Sequence, residues 1–311
     1  PLNSNGFVVT GQNESSISLQ WNKVGNQSFI LQVEGSVISV PAPDGNGPVT
    51  HTVSALSAGT EYTFTLFTVF NGVTSRGENL TAATAPLNSN GFVVTGQNES
   101  SISLQWNKVG NQSFILQVEG SVINVPAPDG NGPVTHTVSA LSAGTEYTFT
   151  LFTVFNGVPS RGENLTAATA PLNSNGFVVT GQNESSISLQ WNKVGNQSFI
   201  LQVEALPAPD GNGPVTHTVS ALSAGTEYTF TLFTVFNGVT SSGATVRAST
   251  APLNSNGFVV TGQNESSISL QWNKVGNQSF ILQVEGSVIS VPAPDGNGPV
   301  DPHSLCSLCW D

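Results

Sequence analysis

The chain has 311 residues, of which 8% are charged, and seven Lys plus Arg against nineteen Asp plus Glu leave a net charge of −12. Without clustered Lys and Arg to displace counterions from a phosphate backbone, the composition argues against nucleic-acid partners. No run approaches the roughly 18 consecutive apolar residues of a membrane-spanning helix, so no direct membrane segment is expected, and no signal peptide is visible at Pro1.

Self-similarity dominates the sequence. The string PLNSNGFVVTGQNESSISLQWNKVGNQSFILQVE starts at Pro1, Pro86, Pro171 and Pro252, at spacings of 85, 85 and 81 residues. The first two units differ at two places, where Ser39 becomes Asn124 and Thr74 becomes Pro159. Units of this size exceed solenoid repeats of roughly 20–50 residues and are expected to be whole small domains.

Within the first unit the apolar period is two. Ser16-Ile17-Ser18-Leu19-Gln20-Trp21 places Ile17, Leu19 and Trp21 on one face of a strand. Gly25-Asn26 then signals a turn, and Phe29, Leu31 and Val33 form the next inward set. A Pro/Gly-rich loop runs from Pro41 to Pro48, and His51 follows in a strand where it is expected to face outward. Ala58-Gly59 marks a corner before Tyr62-Thr63-Phe64-Thr65-Leu66, and Asn71-Gly72 marks the next turn. About seven short strands, punctuated every 8–12 residues, predict an all-β fold built of antiparallel sandwiches.

The later units carry two irregularities. In the third, Glu204-Ala205-Leu206-Pro207 replaces the segment from Glu34 to Pro41, a four-residue deletion in a predicted edge strand that leaves the inward sets untouched. Edge strands are the cheapest to shorten, so this unit is expected to fold. The fourth keeps Trp272 but changes after Val300 into Asp-Pro-His-Ser-Leu-Cys-Ser-Leu-Cys-Trp-Asp, an abrupt change expected of a read-through or a misjoined gene-model end. Half a sandwich leaves its inward face uncovered, and residues 252–311 are expected to be poorly ordered. The predicted organisation is therefore repeats at 1–85, 86–170 and 171–251, an incomplete repeat at 252–300, and an unrelated tail at 301–311.

Trp21 at the end of the second strand and Leu56-Ser57-Ala58-Gly59-Thr60-Glu61-Tyr62 before the sixth resemble the fibronectin type III signature, in which Leu-x-Pro-Gly-Thr-x-Tyr leads into strand F. The seven residues recur at 141–147 and 222–228, and Ala58 stands where the family usually has Pro. The resemblance implies tandem seven-stranded, immunoglobulin-like sandwiches. Their core would hold Trp21, Tyr62, Trp106, Tyr147, Trp191 and Tyr228, each Tyr forming a corner whose hydroxyl bonds back to nearby backbone. Residues 1–305 contain no Cys, which disfavours an antibody-type domain with its inter-sheet disulfide.

Asn-x-Ser/Thr occurs at Asn13, Asn26, Asn79, Asn98, Asn111, Asn164, Asn183, Asn196, Asn264 and Asn277. In the first unit these positions fall at predicted turns or strand ends, which suits glycosylation of a secreted chain. Arg76-Gly77-Glu78 and Arg161-Gly162-Glu163 follow strand F, where the equivalent loop of fibronectin carries the integrin ligand Arg-Gly-Asp. Glu adds a methylene that displaces the carboxylate, and a solvated loop is the better reading. His51, His136 and His217 have no second ligand nearby in sequence, and Cys306-x-x-Cys309 with His303 lacks a second Cys pair, so no metal site is expected. No catalytic constellation appears, which predicts no enzyme activity and no cofactor.

The run from Asn71 to Pro86 is similar to repeat ends in receptor-type tyrosine phosphatases with all-fibronectin ectodomains. That likeness implies a non-catalytic, extracellular region of a single-pass receptor or adhesion protein, acting as spacer and binding module for extracellular or cell-surface proteins. Any phosphatase domain would lie outside the chain. The alternatives are accessory linker repeats of a secreted carbohydrate-active enzyme, or a gene-model fragment without independent function.

Overall fold

The computed structural model describes residues 1–202, 204–296, 299 and 300, and the fold is all-β. Contacts divide the chain into two units, Pro1–Leu172 with Phe236–Ser241, and Asn173–Val235 with the residues from 242 onward.

In the first unit, the first repeat contains β1 (Val8–Gln12), β2 (Ile17–Trp21), β3 (Ser28–Val33), β4 (Ser36–Val40), β5 (Val49–Val53), β6 (Glu61–Phe70), β7 (Val73–Thr74) and β8 (Glu78–Ala83). One sheet has the order β1-β2-β5 and the other β4-β3-β6, with β7 and β8 both paired to the far side of β6. Cross-strand register brings like faces together: Trp21 lies opposite Val49, Leu31 opposite Leu66, and Phe64 opposite Leu80. The period-two residues of both sheets thus meet in one core, in which Ile17, Leu19, Trp21, Leu31 and Phe64 are fully buried. Burying each such side chain contributes roughly 1.5–3 kcal/mol. Phe7 and Phe29 flank Trp21 edge-to-face at 6.0 and 5.6 Å, an arrangement that suits the ring quadrupoles.

The eight strand segments reduce to seven strands. β7 and β8 form one strand broken by a bulge: Val69 lies opposite Thr74, but Leu66 lies opposite Glu78, so Ser75–Gly77 hold one residue too many for the ladder. Two-residue turns with left-handed backbone close the hairpins, Glu34 (φ 47°) with Gly35 (φ 79°) and Asn71 (φ 46°) with Gly72 (φ 75°). The second repeat reproduces this arrangement from Val93–Gln97 to Glu163–Ala168. Its two differences, Asn124 and Pro159, are exposed on the edge strands Ser121–Val125 and Val158–Pro159, where a changed side chain or a missing N–H disturbs no interior pairing.

In the second unit the deletion reaches further than the sequence suggested. The edge strand shortens to Glu204–Leu206, but its neighbour also shortens, from six residues to Ser198–Leu201, because the turn moves to begin at Gln202 with φ 55°. The inward set on that strand therefore ends at Leu201 and is not left untouched. Val215, Val219 and Tyr228 are only half-buried, whereas their counterparts in the first repeat are buried. The fourth repeat holds two antiparallel hairpins, Val259–Gln263 with Ile268–Gln271 and Phe280–Val284 with Ser287–Val291. Strands thus form where poor order was expected, and Trp272 accepts a backbone bond from Val300 N–H at 3.0 Å. The tail 301–311, with Cys306, Cys309 and His303, lies outside the described residues.

Candidate functional site

The corner between β5 and β6 is the most densely bonded irregular segment of the repeat. Tyr62, nine-tenths buried on the inward face of β6, accepts the Ser57 N–H through its hydroxyl at 2.8 Å. Thr84, fully buried just after β8, donates its hydroxyl to the Ser57 carbonyl at 2.6 Å and accepts the Thr60 N–H at 3.1 Å. Ser57 is thus held by both its N–H and its C=O, and Gly59 (φ 58°) closes the corner by donating to Ala85 O at 3.0 Å. The Tyr147 and Tyr228 hydroxyls accept from Ser142 and Ser223 in the same way, and Thr169 and Thr250 repeat the Thr84 contacts. Thr84 lies in a run of small residues with no pattern to mark it, and sequence reasoning passed it over.

All ten sequon asparagines are exposed. Asn13 sits in the β1–β2 turn, where its Oδ1 accepts the Ser15 N–H at 2.9 Å, and Asn98, Asn183 and Asn264 make the same bond. Asn26 follows Gly25 in the turn before β3, and Asn111, Asn196 and Asn277 occupy the corresponding turns. Asn79 lies inside β8, opposite Thr65, whose hydroxyl donates to Asn79 Oδ1 at 2.8 Å; Asn164 pairs with Thr150 alike. At Asn13, Asn79 and the counterparts named with them, these bonds engage the amide oxygen, not the nitrogen that would carry a glycan.

The Arg76-Gly77-Glu78 segment is not a projecting loop. The hairpin tip is Asn71-Gly72; Arg76 and Gly77 lie in the bulge, and Glu78 already opens β8. Asn3 clamps the bulge, donating Nδ2 to Gly77 O at 3.0 Å and accepting the Gly77 N–H at 3.1 Å, and Asn88 holds Gly162 likewise. Arg161, in the second bulge, reaches Glu14 of the first repeat at 3.1 Å, and Asn156 Nδ2 bonds Glu61 Oε2 at 2.6 Å. The second Arg-Gly-Glu thus contributes its Arg to a contact between two repeats, which spacing along the chain could not reveal.

His51 also departs from its expected placement. It lies opposite fully buried Leu19, on the face shared by Val49 and Val53, and is half-buried at the edge of the inward side. Strand parity explains this: counting by two from Val49 or Val53 puts His51 inward. Among the described residues no three His, Cys, Asp or Glu side chains converge into a group that could hold a metal ion, and no helix is long and apolar enough to cross a membrane.

No family model matches the chain. Over 292 residues it is 29% identical to human receptor-type tyrosine-protein phosphatase H, an overlap covering 85% of this chain and 25% of that protein. Over 283 residues it is 28% identical to chicken receptor-type tyrosine-protein phosphatase eta, covering 83% of this chain and 20% of that protein. The chain therefore spans a quarter or less of the length of these relatives. Among solved structures it is similar to a two-domain fibronectin type III segment from chicken tenascin, at 17% identity over 54% of this chain and all of that one, with a TM-score of 0.33. The repeats are all-β, each complete one built of two antiparallel sheets, and the sequence is similar to receptor-type tyrosine phosphatases H and eta.

Proposed function

We propose that the chain is a non-catalytic, N-glycosylated array from the extracellular part of a single-pass receptor or adhesion protein, serving as spacer and as a binding surface for extracellular or cell-surface proteins. Each of the segments 1–85, 86–170 and 171–251 acts as one folding unit in this reading. The observation that carries it is the exposure of all ten sequon asparagines, with the hydrogen bonds at the β1–β2 turns and on β8 directed to the amide oxygen. A glycan at these places extends into solvent without displacing core residues. The sequence likeness to two receptor-type phosphatases supports the receptor assignment. Phosphatase chemistry belongs to those relatives, and the role proposed for this chain is mechanical and adhesive.

The experiment is secretion of the chain behind a leader peptide from mammalian cells, followed by mass mapping before and after removal of N-glycans. Occupancy is expected at several of Asn13, Asn26, Asn79 and their counterparts. A secreted, folded chain with every sequon empty refutes the glycosylated-surface reading.

A further inference from the structure

On the outward face of the second sheet a sequon sits beside an aromatic ring. Asn79 lies opposite Thr65, and Phe67 stands two residues further along β6, so Asn79 and Phe67 are diagonal neighbours on one face. Such neighbours are about 7–8 Å apart, within reach of an aromatic side chain. The Phe67 ring rests against Gly77, where an added Cβ would lie 2.7 Å from Phe67 Cε1 and 3.1 Å from Thr65 Cγ2. The missing side chain at Gly77 is thus what lets the ring lean toward the strand that carries Asn79. Phe67 stays half-buried, with half-buried Ile30 opposite it on β3. The second repeat has the same arrangement: Asn164 lies opposite Thr150, Phe152 rests against Gly162, and Ile115 lies opposite Phe152. In the third repeat Phe233 rests against Gly243 alike, but Thr245 stands opposite Thr231 and Arg247 follows, so the sequon is gone.

We propose that Phe67 and Phe152 are stacking platforms for the first sugar of the N-glycans on Asn79 and Asn164, which rests on the glycosylated-surface reading above. One face of an N-acetylglucosamine ring presents C–H groups, whose partial positive charge suits the negative face of an aromatic ring. The Thr65 hydroxyl, bonded to Asn79 Oδ1 at 2.8 Å, pins the amide over the sheet, so a sugar on Nδ2 starts between the neighbours on either side along the strands. On one side Thr63 and Thr81 face each other, both exposed, and on the other is Phe67. Phe67 offers the larger apolar surface, and covering it with the sugar takes that area out of water. A glycan held in this way shields the row of Ile30 and Phe67. It also lies along the edge strand β8, where an uncovered backbone edge invites pairing with another chain. Asn13 and Asn26, in turns and not on a sheet face, supply the comparison.

The test uses the full chain secreted with its glycans. With each glycan trimmed to one N-acetylglucosamine and the sites assigned by Asn79→Gln and Asn164→Gln, proton NMR is expected to show the sugars at Asn79 and Asn164 upfield of those at Asn13 and Asn26, because an aromatic ring shields protons above its face. With the glycans left whole, N-glycanase release from the native chain is followed site by site by mass mapping. Phe67→Leu, which keeps apolar bulk but removes the ring, is expected to speed release at Asn79 roughly two- to tenfold and leave Asn164 unchanged. Thr245→Asn with Arg247→Thr, both at exposed positions, places a sequon beside Phe233 without touching the core, and its sugar is expected to shift upfield as well. Unshifted sugars at any of the three places, or release at Asn79 indifferent to Phe67→Leu, overturns the stacking while glycosylation stands. Empty Asn79 and Asn164 beside occupied turn sequons overturns it too, and ten empty sequons overturn it together with the reading on which it rests.

Discussion

Replacing Tyr62 by Phe isolates one hydrogen bond at the β5–β6 corner. The substitution keeps the ring on the inward face, 6.4 Å from Phe64, and removes only the hydroxyl that accepts Ser57 N–H at 2.8 Å. An orphaned buried donor costs about 1–3 kcal/mol. Ser57 itself is exposed, so water reaches part of its amide and the lower half of that range, about 1–2 kcal/mol, is expected. Tyr62→Ala removes the nine-tenths buried ring as well, and the large-to-small scale for aromatic residues puts its cost near 3–5 kcal/mol. The segment 1–86 contains one Trp, at position 21 in the core, so its fluorescence reports urea unfolding. Tyr62→Phe should lower the urea midpoint at unchanged slope and the melting temperature by about 4–16 °C. A Phe variant within about 0.3 kcal/mol of the parent refutes a stabilising role for the hydroxyl. A Phe variant as damaging as the Ala variant refutes the contribution assigned to the ring.

Thr84→Val keeps the shape of a fully buried side chain while stranding the Ser57 carbonyl and the Thr60 N–H. A loss of about 2–4 kcal/mol is expected in the same unfolding assay, against less than about 0.5 kcal/mol for Thr63→Val on the exposed face of β6. Gly77→Ala meets both a backbone at φ 91° and a ring, since an added Cβ would lie 2.7 Å from Phe67 Cε1. The expected cost is about 1–3 kcal/mol, whereas Gly47→Ala, with nothing within 4 Å, should leave the melting temperature nearly unchanged.

Alternation of apolar and polar residues fixed which faces of β2, β3 and β6 are buried, because a strand's side chains change sides at every residue and the repeats state that pattern several times. Asn71-Gly72 announced its hairpin for an equally local reason, since both residues tolerate left-handed backbone. Glu34-Gly35 makes the same kind of turn without the usual signal, because the tight β3–β4 pairing holds Glu34 at φ 47° against its own preference. His51 was misplaced through its polarity; its parity with Val49 and Val53 was legible and is what the sheet obeys. The deletion in the third repeat was visible as four missing residues, but shortening of both strands of the hairpin followed from where the turn re-formed.

By itself the sequence determined the recurring string and the all-β class. These depend on local periodicity and on identity between copies, which are properties of the string. Only the tertiary structure decided that Arg76-Gly77-Glu78 lies in a clamped bulge, that Thr84 ties Ser57 and Thr60, and that Arg161 reaches Glu14. Those contacts join residues 24 to 147 positions apart, and sheet register, not adjacency in the chain, brings such groups within hydrogen-bonding distance.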